Sequence, residues 1–276
     1  MYSRIKNSIS LFKQNSFQDF LEIIRLKFHL NFAFVILGAT SFVQQIDIGV
    51  ISSLLLMYFS FNVCLYGGIY TMNAITDLEK DALHPLKCNR PLPSGRISKT
   101  SATTLALSLM SIGIFLGFLF FGSNIGLIYI AFVGINLFYS LVARNIPYLE
   151  LFVNAFTMPI RLLMGGFLAI DGLVPTSLMF GAFCMGIGFL SIRRIVEKDI
   201  QNWTEARPAL KAYQGNIMLW IQIAAFIGLL LAFNSDIFIQ QTFTAYLLMV
   251  IYFVIFCLGV HISEPIRSYW RHFYGN

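Results

Sequence analysis

Residues 73–91 read Asn73-Ala-Ile-Thr-Asp77-Leu-Glu-Lys-Asp81-Ala-Leu-His84-Pro-Leu-Lys87-Cys-Asn-Arg90-Pro91, and they follow a long apolar segment. Asn73, Asp77 and Asp81 are four residues apart, so on a helix they lie near one face. A carboxylate pair on one face suits a hard divalent cation such as Mg²⁺, and Lys87 and Arg90 suit phosphate oxygens. The stretch therefore predicts chemistry on a pyrophosphate beside a lipid. The plain alternative is a solvated helix end with mixed charges.

Outside this stretch the chain is strongly apolar. Hydrophobic residues make up 57% of its 276 residues and charged residues only 12%, whereas charged residues are about 25% of a soluble domain. Eight stretches are long enough to cross a bilayer, namely residues 28–44, 48–72, 101–121, 125–143, 148–170, 175–192, 216–233 and 238–260. We therefore expect an all-α, polytopic membrane protein. The four scattered cysteines indicate neither a zinc site nor a disulfide framework, and there is no nucleic-acid motif.

The basic residues predict how the chain is oriented. All but one of the 19 Lys and Arg residues precede the first span or lie on the same side of the membrane as that segment. By the positive-inside rule this side is cytoplasmic, so both termini and both large polar loops face the cytosol. We expect a multi-pass protein of the plasma (inner) membrane. It has a cytoplasmic segment over residues 1–27, one transmembrane domain over 28–262 and a cytoplasmic tail over 263–276.

Two further features are candidate sites. Arg193-Arg194-Ile-Val-Glu197 follows the sixth span and pairs Arg193 with Glu197 at i,i+4; its alternative is a cytoplasmic cap with ordinary salt bridges. Arg161 is the basic residue inside span five, where a guanidinium marks a polar cavity by default. Its alternative is a structural pairing with Asn154 or Glu150.

Local sequence around Arg161 also predicts an irregular helix. Pro159, which is two residues before Arg161, removes a backbone hydrogen bond and opens the helix there. The Gly165-Gly166 pair allows close packing or further distortion.

At these residues the chain resembles the UbiA-type membrane prenyltransferase superfamily. The first motif of that family has the form Asn-Asp-x-x-Asp-x-x-x-Asp, and residues 73–81 match it except at its second position. There Ala74 replaces an aspartate, so one carboxylate is lost. Residues 90–98 are also similar to the loop that follows the motif in the family. The family has nine spans where we count eight, and the 263–276 segment is too short and polar to be a ninth.

The second cluster resembles one branch of this family. Aromatic prenyltransferases usually carry a second Asp-x-x-x-Asp motif between helices six and seven, which this sequence lacks. Arg193-Arg194-x-x-Glu197 and Arg207-x-x-Leu210-x-x-Tyr213 are instead similar to the pattern of decaprenyl-phosphate phosphoribosyltransferases. His84-Pro85, Tyr139-Ser140 and Arg161 with Gly165-Gly166 also match this branch. Arg144 stands where the branch has Lys, and Glu150 stands where it has Asp.

The resemblance implies a membrane transferase whose active site faces the cytoplasm. In the branch it resembles, phosphoribosyl pyrophosphate is joined to a polyprenyl phosphate with Mg²⁺ and pyrophosphate is released. It implies Mg²⁺ on Asn73, Asp77 and Asp81, and catalytic roles for Asp77, Asp81, Lys87 and Arg90. It also implies substrate contacts from Asn73, His84, Tyr139, Arg144, Glu150, Arg161, Arg193, Arg194, Glu197, Arg207, Lys211 and Tyr213.

Two alternatives stay open from sequence. One is a conventional UbiA prenyltransferase that moves a prenyl group from its diphosphate to an aromatic or other acceptor. It would need a second acidic metal site, which Glu197, Gln201 and Glu205 imitate poorly. The other is a non-catalytic lipid-binding relative, whose only support is Ala74.

Overall fold

The computed structural model describes residues 17–43, 45–83, 87–169, 174–199, 208–237 and 239–275. Within these ranges the regular structure is helical, which confirms the predicted all-α class. Lipid offers no hydrogen-bond partners to the backbone, so helices that satisfy their own N–H and C=O groups are the structure expected of such apolar stretches. Contacts divide the chain into unit 1, Met1–Leu30 with Met57–Tyr129, and unit 2, Asn31–Leu56 with Ile130–Asn276.

Thirteen α-helices are numbered here in chain order through the described residues. They are α1 Phe17–Ile23, α2 Ala33–Phe42, α3 Ile48–Met57, α4 Gly67–Thr76, α5 Leu78–Ala82, α6 Lys99–Leu141, α7 Leu149–Ala155, α8 Thr157–Gly166, α9 Thr176–Lys198, α10 Ile217–Ser235, α11 Gln240–Tyr252, α12 Gly259–Ile262 and α13 Glu264–Gly275. Two π-helical segments, Tyr58–Tyr66 and Phe253–Leu258, join α3 to α4 and α11 to α12. Short 3-10 helices cover Leu26–Phe32, Lys87–Asn89, Ala143–Asn145 and Pro208–Ala212.

The described helices are long and apolar enough to span a membrane in five places. These are Ile48–Thr76, Lys99–Asn145, Thr176–Lys198, Ile217–Ser235 and Gln240–Ile262, with a shorter apolar helix at Phe28–Phe42. Predicted spans three and four fall together in the 47-residue stretch Lys99–Asn145, and predicted span five is divided between α7 and α8. The membrane class is therefore confirmed, whereas the count of eight spans is not.

Helix α6 turns back on itself at Gly122, between predicted spans three and four. Gly122 has φ of 79° and ψ of −174°, a conformation that favours glycine. A Cβ on Gly117 would lie 2.8 Å from the ring of Tyr129, and a Cβ on Gly126 would lie 2.4 Å from the ring of Phe118. Residues twelve apart on one straight helix would be about 18 Å apart, so these contacts show a tight hairpin.

Unit 2 contains a close helix–helix contact built on glycine. A Cβ on Gly165 in α8 would lie 1.9 Å from the carbonyl oxygen of Val35, and a Cβ on Gly38 in α2 would lie 2.0 Å from that of Leu162. The two backbones touch directly, which is the way small residues pack membrane helices. The predicted opening of span five is at Phe156, between α7 and α8. Pro159 therefore falls in the first turn of α8, where proline is tolerated.

Candidate active site

The acidic stretch of unit 1 lies where α4 passes into α5. Asp77 joins the two helices with φ of −93° and ψ of 0°. Its backbone N–H donates to the Asn73 carbonyl at 3.0 Å, and the Asp81 N–H donates to the Asp77 carbonyl at 2.8 Å. The i→i−4 pattern of hydrogen bonds thus continues through the junction. Asn73, Asp77 and Asp81 keep the helical spacing that the sequence predicts.

The cations predicted to act with these acids are in contact with one of them. Arg90 Nη1 donates to Asp81 Oδ2 at 3.0 Å, and Lys87 Nζ lies 3.7 Å from Asp81 Oδ1. Asp81 is buried, whereas Lys87 and Arg90 are half-buried. A buried carboxylate therefore holds two cations in place while each cation keeps part of its surface accessible. His84, predicted in the same loop, lies outside the described residues.

The acids of this stretch fit a magnesium ion that is shared with a substrate. In the part of the chain that the structure describes, no three His, Cys, Asp or Glu residues are grouped to enclose a metal. Mg²⁺ commonly needs only one or two carboxylates, with waters and substrate phosphates supplying its other ligands. Asp77 and Asp81, with the amide oxygen of Asn73, are hard oxygen donors of that kind.

A residue cluster that sequence reasoning missed anchors the loop of Lys87 and Arg90. Arg96 donates from Nε to Asp19 Oδ1 at 2.7 Å, from Nη2 to Glu22 Oε2 at 3.2 Å and from Nη1 to the Asn89 carbonyl at 2.8 Å. Asp19 is buried in α1, within the segment over residues 1–27 that we predict to be cytoplasmic. The only signal for this contact in the sequence is an acidic residue, Asp19, in a mostly basic segment.

Ala74 packs in an apolar cluster. It is buried with Ile23, Ile24, Leu92 and Ile97. These neighbours come from the end of α1, from Ile24 directly after it and from the loop after residue 90, so the cluster of Ala74 joins three parts of unit 1. An aspartate side chain at this position would enter hydrocarbon surroundings.

The second cluster is in unit 2 and centres on Arg194 of α9. Arg194 is buried and donates from Nη2 to Glu150 Oε2 at 2.5 Å. Its Nη1 donates to Glu197 Oε2, and its Nη2 lies 3.5 Å from the Tyr139 hydroxyl. Arg193 donates from Nε to Glu197 Oε1 at 2.7 Å and leaves 32% of its side chain exposed. The structure thus brings together five residues that the sequence singled out.

Tyr213 closes this network from the next segment of the chain. Its hydroxyl donates to Glu150 Oε1 at 2.9 Å and accepts from the Tyr148 backbone N–H at 3.0 Å. Lys198 Nζ donates to the Tyr213 carbonyl. Burial raises the pKa of Tyr213, and the Glu150 carboxylate raises it further. The phenol therefore stays protonated and serves as a donor.

Three other predicted residues lie elsewhere in unit 2, and a fourth is not described. Arg161 is buried, donates from Nη1 to the Thr157 carbonyl at 2.8 Å, and lies 4.7 Å above the Phe132 ring. Arg144 is half-buried in the Ala143–Asn145 turn, and Lys211 is exposed. Arg207 lies outside the described residues. These contacts of Arg161 combine a backbone acceptor with an aromatic face.

Comparison with known proteins identifies the family to which this chain belongs. A model of the UbiA prenyltransferase family matches residues 31–272. A digeranylgeranylglyceryl phosphate synthase of Methanocaldococcus jannaschii is 31% identical over 99 residues. That match covers 36% of this chain and 34% of the relative, so about a third of the relative's length is spanned.

Solved structures resemble the fold over nearly the whole chain. A UbiA homologue from Archaeoglobus fulgidus, solved with GPP and Mg²⁺, has a TM-score of 0.75 at 14% identity and covers 93% of this chain and 95% of its own. A structure of a digeranylgeranylglyceryl phosphate synthase has a TM-score of 0.67 at 18% identity, with 94% and 92% covered. At these identities the likeness concerns the fold.

Proposed function

This chain belongs to the UbiA prenyltransferase family, and from that premise we propose that it joins phosphoribosyl pyrophosphate to a polyprenyl phosphate. The family makes it a membrane transferase. What the proposal adds is the donor, which carries a pyrophosphate at one end and a 5-phosphate at the other. Such a donor calls for one metal-assisted pyrophosphate site and for further cations.

The arginine–carboxylate network of unit 2 carries the proposal. Transfer from a prenyl diphosphate in the aromatic branch would use a second acidic metal motif after helix six. Here Glu197 is ion-paired with both Arg193 and Arg194, and Glu150 is ion-paired with Arg194. Neither Glu150 nor Glu197 has any of its side chain exposed, so a soluble metal ion reaches them less readily than it reaches the half-buried Asp77 of unit 1. A cluster that presents Arg193 suits a phosphate group instead.

Unit 1 supplies the residues for the pyrophosphate. Asn73, Asp77 and Asp81 would hold Mg²⁺, which screens the charge of a pyrophosphate group when it is bound. Lys87 and Arg90 are fixed by Asp81 at 3.7 Å and 3.0 Å and neutralise the charge that develops on the leaving group. Positioned cations of this kind stabilise the transition state without moving during the reaction.

The proposed reaction needs no general base. An oxygen of the polyprenyl phosphate forms a bond to ribose C1, and the bond from C1 to the pyrophosphate oxygen breaks with its electron pair. The nucleophile is already an anion, so no proton has to be removed. In this scheme Arg193 and Lys211 contact phosphate groups, whereas Arg194, which is bound to two carboxylates, positions the network.

A second candidate is transfer of a prenyl group from a prenyl diphosphate to a phosphate-bearing acceptor. Its support is the 31% identity to a digeranylgeranylglyceryl phosphate synthase and the fold of a homologue that was solved with GPP and Mg²⁺. The same Asp77 and Asp81 would then hold the prenyl diphosphate. The non-catalytic alternative is dropped, because the chain belongs to a family of transferases and the Ala74 methyl lies in an apolar cluster.

A paired transfer assay separates the two candidates. Purified protein with Mg²⁺ is given ribose-labelled phosphoribosyl pyrophosphate with a polyprenyl phosphate, or a labelled prenyl diphosphate with a glyceryl phosphate lipid. Label in the polyprenyl phosphate fraction, lost with Asp77→Asn or with a chelator, supports the proposal. Glu79→Gln is the matched control, because Glu79 is an exposed acid of α5, and it should keep full activity.

Three results would go against the proposal. Turnover of only the prenyl diphosphate would replace it with the second candidate. Incorporation of ribose label that survives both Asp77→Asn and the chelator would overturn the metal role of unit 1. Absence of turnover with either donor would count against both candidates.

A further inference from the structure

Helix α13, Glu264–Gly275, lies in the segment that the sequence presents as a polar tail and has a buried aromatic face. Trp270 and Tyr274 of α13 are buried. The Trp270 ring meets Phe189 of α9 edge-on at 5.8 Å and stacks on Tyr274 at 5.7 Å. Residues 270 and 274 are one helical turn apart, so they present one continuous surface to α9.

An ion pair fixes α13 to the end of α9. Arg267 donates to both oxygens of Asp199, each at 2.7 Å, and Arg271 donates to Asp199 Oδ2 at 3.3 Å. Asp199 directly follows the last residue of α9. Burial raises the pKa of Asp199, but the hydrogen bonds and charges of the two arginines outweigh burial and lower it overall. The carboxylate is therefore charged at neutral pH and the contact is formed.

The face of α13 that is turned toward α9 reaches Arg193. The Arg193 guanidinium carbon lies 5.8 Å from the centroid of the Tyr274 ring, within the range of a cation–π interaction. Arg193 Nε also donates to Glu197 Oε1 at 2.7 Å. An arginine side chain with four rotatable bonds is thus held between a carboxylate of its own helix and an aromatic ring of another.

We infer that Tyr274 is a positioning residue that holds Arg193 ready for an anionic group of the substrate. The inference rests on the proposed function only in that unit 2 binds an anion, and it holds for either donor. An unfixed arginine would lose side-chain entropy when it binds phosphate, whereas one that is already held loses less. The aromatic ring supplies this restraint, and the tyrosine hydroxyl is not needed for it.

Substitutions at Tyr274 test this role through the ring. Tyr274→Leu should raise KM for the anionic donor by up to about tenfold, with kcat within about twofold, because ordering a long side chain on binding costs up to roughly that factor in affinity. Tyr274→Phe keeps the aromatic ring and should have the wild-type KM. Tyr269→Leu is the matched control, since Tyr269 lies on the same helix but is 55% exposed, and it should leave KM unchanged.

A double-mutant cycle shows whether Tyr274 acts through Arg193. Arg193→Ala should raise KM at least as much as Tyr274→Leu, and the double variant should be no worse than Arg193→Ala alone. Additive effects, or equal defects in Tyr274→Phe and Tyr274→Leu, would overturn the inference. The cycle uses whichever of the two donors the wild-type protein turns over, and binding of inorganic pyrophosphate if neither is turned over. A failed phosphoribosyl assay therefore does not decide this question.

Discussion

At the scale of single residues, burial changes what the Asn73–Asp81 motif means. Sequence alone treats Ala74 as a missing carboxylate beside a metal site. In the structure Ala74 is buried with Ile23 and Leu92, while Asp81 meets Lys87 and Arg90. Position 74 therefore has a packing role in this chain, and the three remaining polar residues of the motif keep their helical spacing without it.

Restoring the motif's aspartate should harm this protein. Ala74→Asp places a carboxyl group in the apolar cluster, where an unsatisfied polar group costs about 1–3 kcal/mol. We expect a lower midpoint of thermal unfolding in detergent and no gain in transfer activity. Ala82→Asp is the control, because it adds the same group at an exposed position of α5. A gain in activity with Ala74→Asp would mean instead that the native site is incomplete.

Neighbouring arginines of α9 have different energetic roles. Arg194 has 2% of its side chain exposed and pairs with two carboxylates that have none exposed, whereas Arg193 has 32% exposed. Removing Arg194 leaves Glu150 and Glu197 buried with fewer partners, and breaking a buried pair in this way costs about 3–5 kcal/mol. From the sequence alone, the difference in burial between these two adjacent arginines is not visible.

We expect Arg194→Met to lower the thermal midpoint far more than Arg193→Met. The second substitution removes a partly exposed ion pair, which is worth about 0–1 kcal/mol. Differential scanning fluorimetry of both variants in the same detergent measures the difference. Equal shifts for the two variants would contradict the assignment of Arg194 as the structural centre of the network.

At the scale of elements, glycine sets the distance between α2 and α8. A Cβ added at Gly165 would lie 1.9 Å from a backbone oxygen of α2, so the two helices cannot keep their present separation with a larger residue at this position. Arg161 lies one turn before Gly165 on α8, close to this contact along the helix. Helix packing and the placement of a buried guanidinium are therefore coupled in this part of unit 2.

Gly165→Ala should destabilise the protein by about 1–3 kcal/mol, because overpacking forces the backbones apart. Gly134→Ala is the control. It substitutes a glycine of α6 that has open space around it, and it should be neutral or stabilise by about 0.5–1 kcal/mol through the helix preference of alanine. Unfolding of both variants in detergent gives the comparison. A neutral Gly165→Ala variant would show that the helices separate without cost.

At the scale of the whole molecule, the distribution of charge predicts how the chain is oriented in the membrane. The basic segments of the sequence gather on one side of the predicted spans, and the positive-inside rule assigns that side to the cytoplasm. Cys88 is the one cysteine of the four that is not buried, and it lies in the Lys87–Asn89 turn beside the candidate pyrophosphate site. It therefore provides a native reporter of the side on which unit 1 presents that site.

A membrane-impermeant maleimide should label Cys88 in inside-out membrane vesicles and not in sealed right-side-out vesicles. Cys88→Ser should abolish the signal, because Cys64, Cys184 and Cys257 are buried. Mass spectrometry of the labelled peptide identifies the site. Labelling from the outer face would reverse the predicted orientation of the whole chain.

Local patterns in the sequence determined the class of protein and the spacing of its polar motifs. Apolar length and a low fraction of charge dictate membrane helices, since the bilayer leaves the backbone few other solutions. The i,i+4 repeat dictates that Asn73, Asp77 and Asp81 share a helical face. Gly122 likewise marks a reversal that the chain makes.

Only the tertiary structure decided which partners these residues meet. Arg194 and Glu150 are 44 positions apart, and Arg96 and Asp19 are 77 apart. Such contacts depend on how helices pack, which no local periodicity encodes. The same reason explains why Ala74 reads as a lost ligand in sequence and packs as a core residue in space. Tyr274, in a segment that reads as a polar tail, gains its place beside Arg193 only because α13 packs against α9.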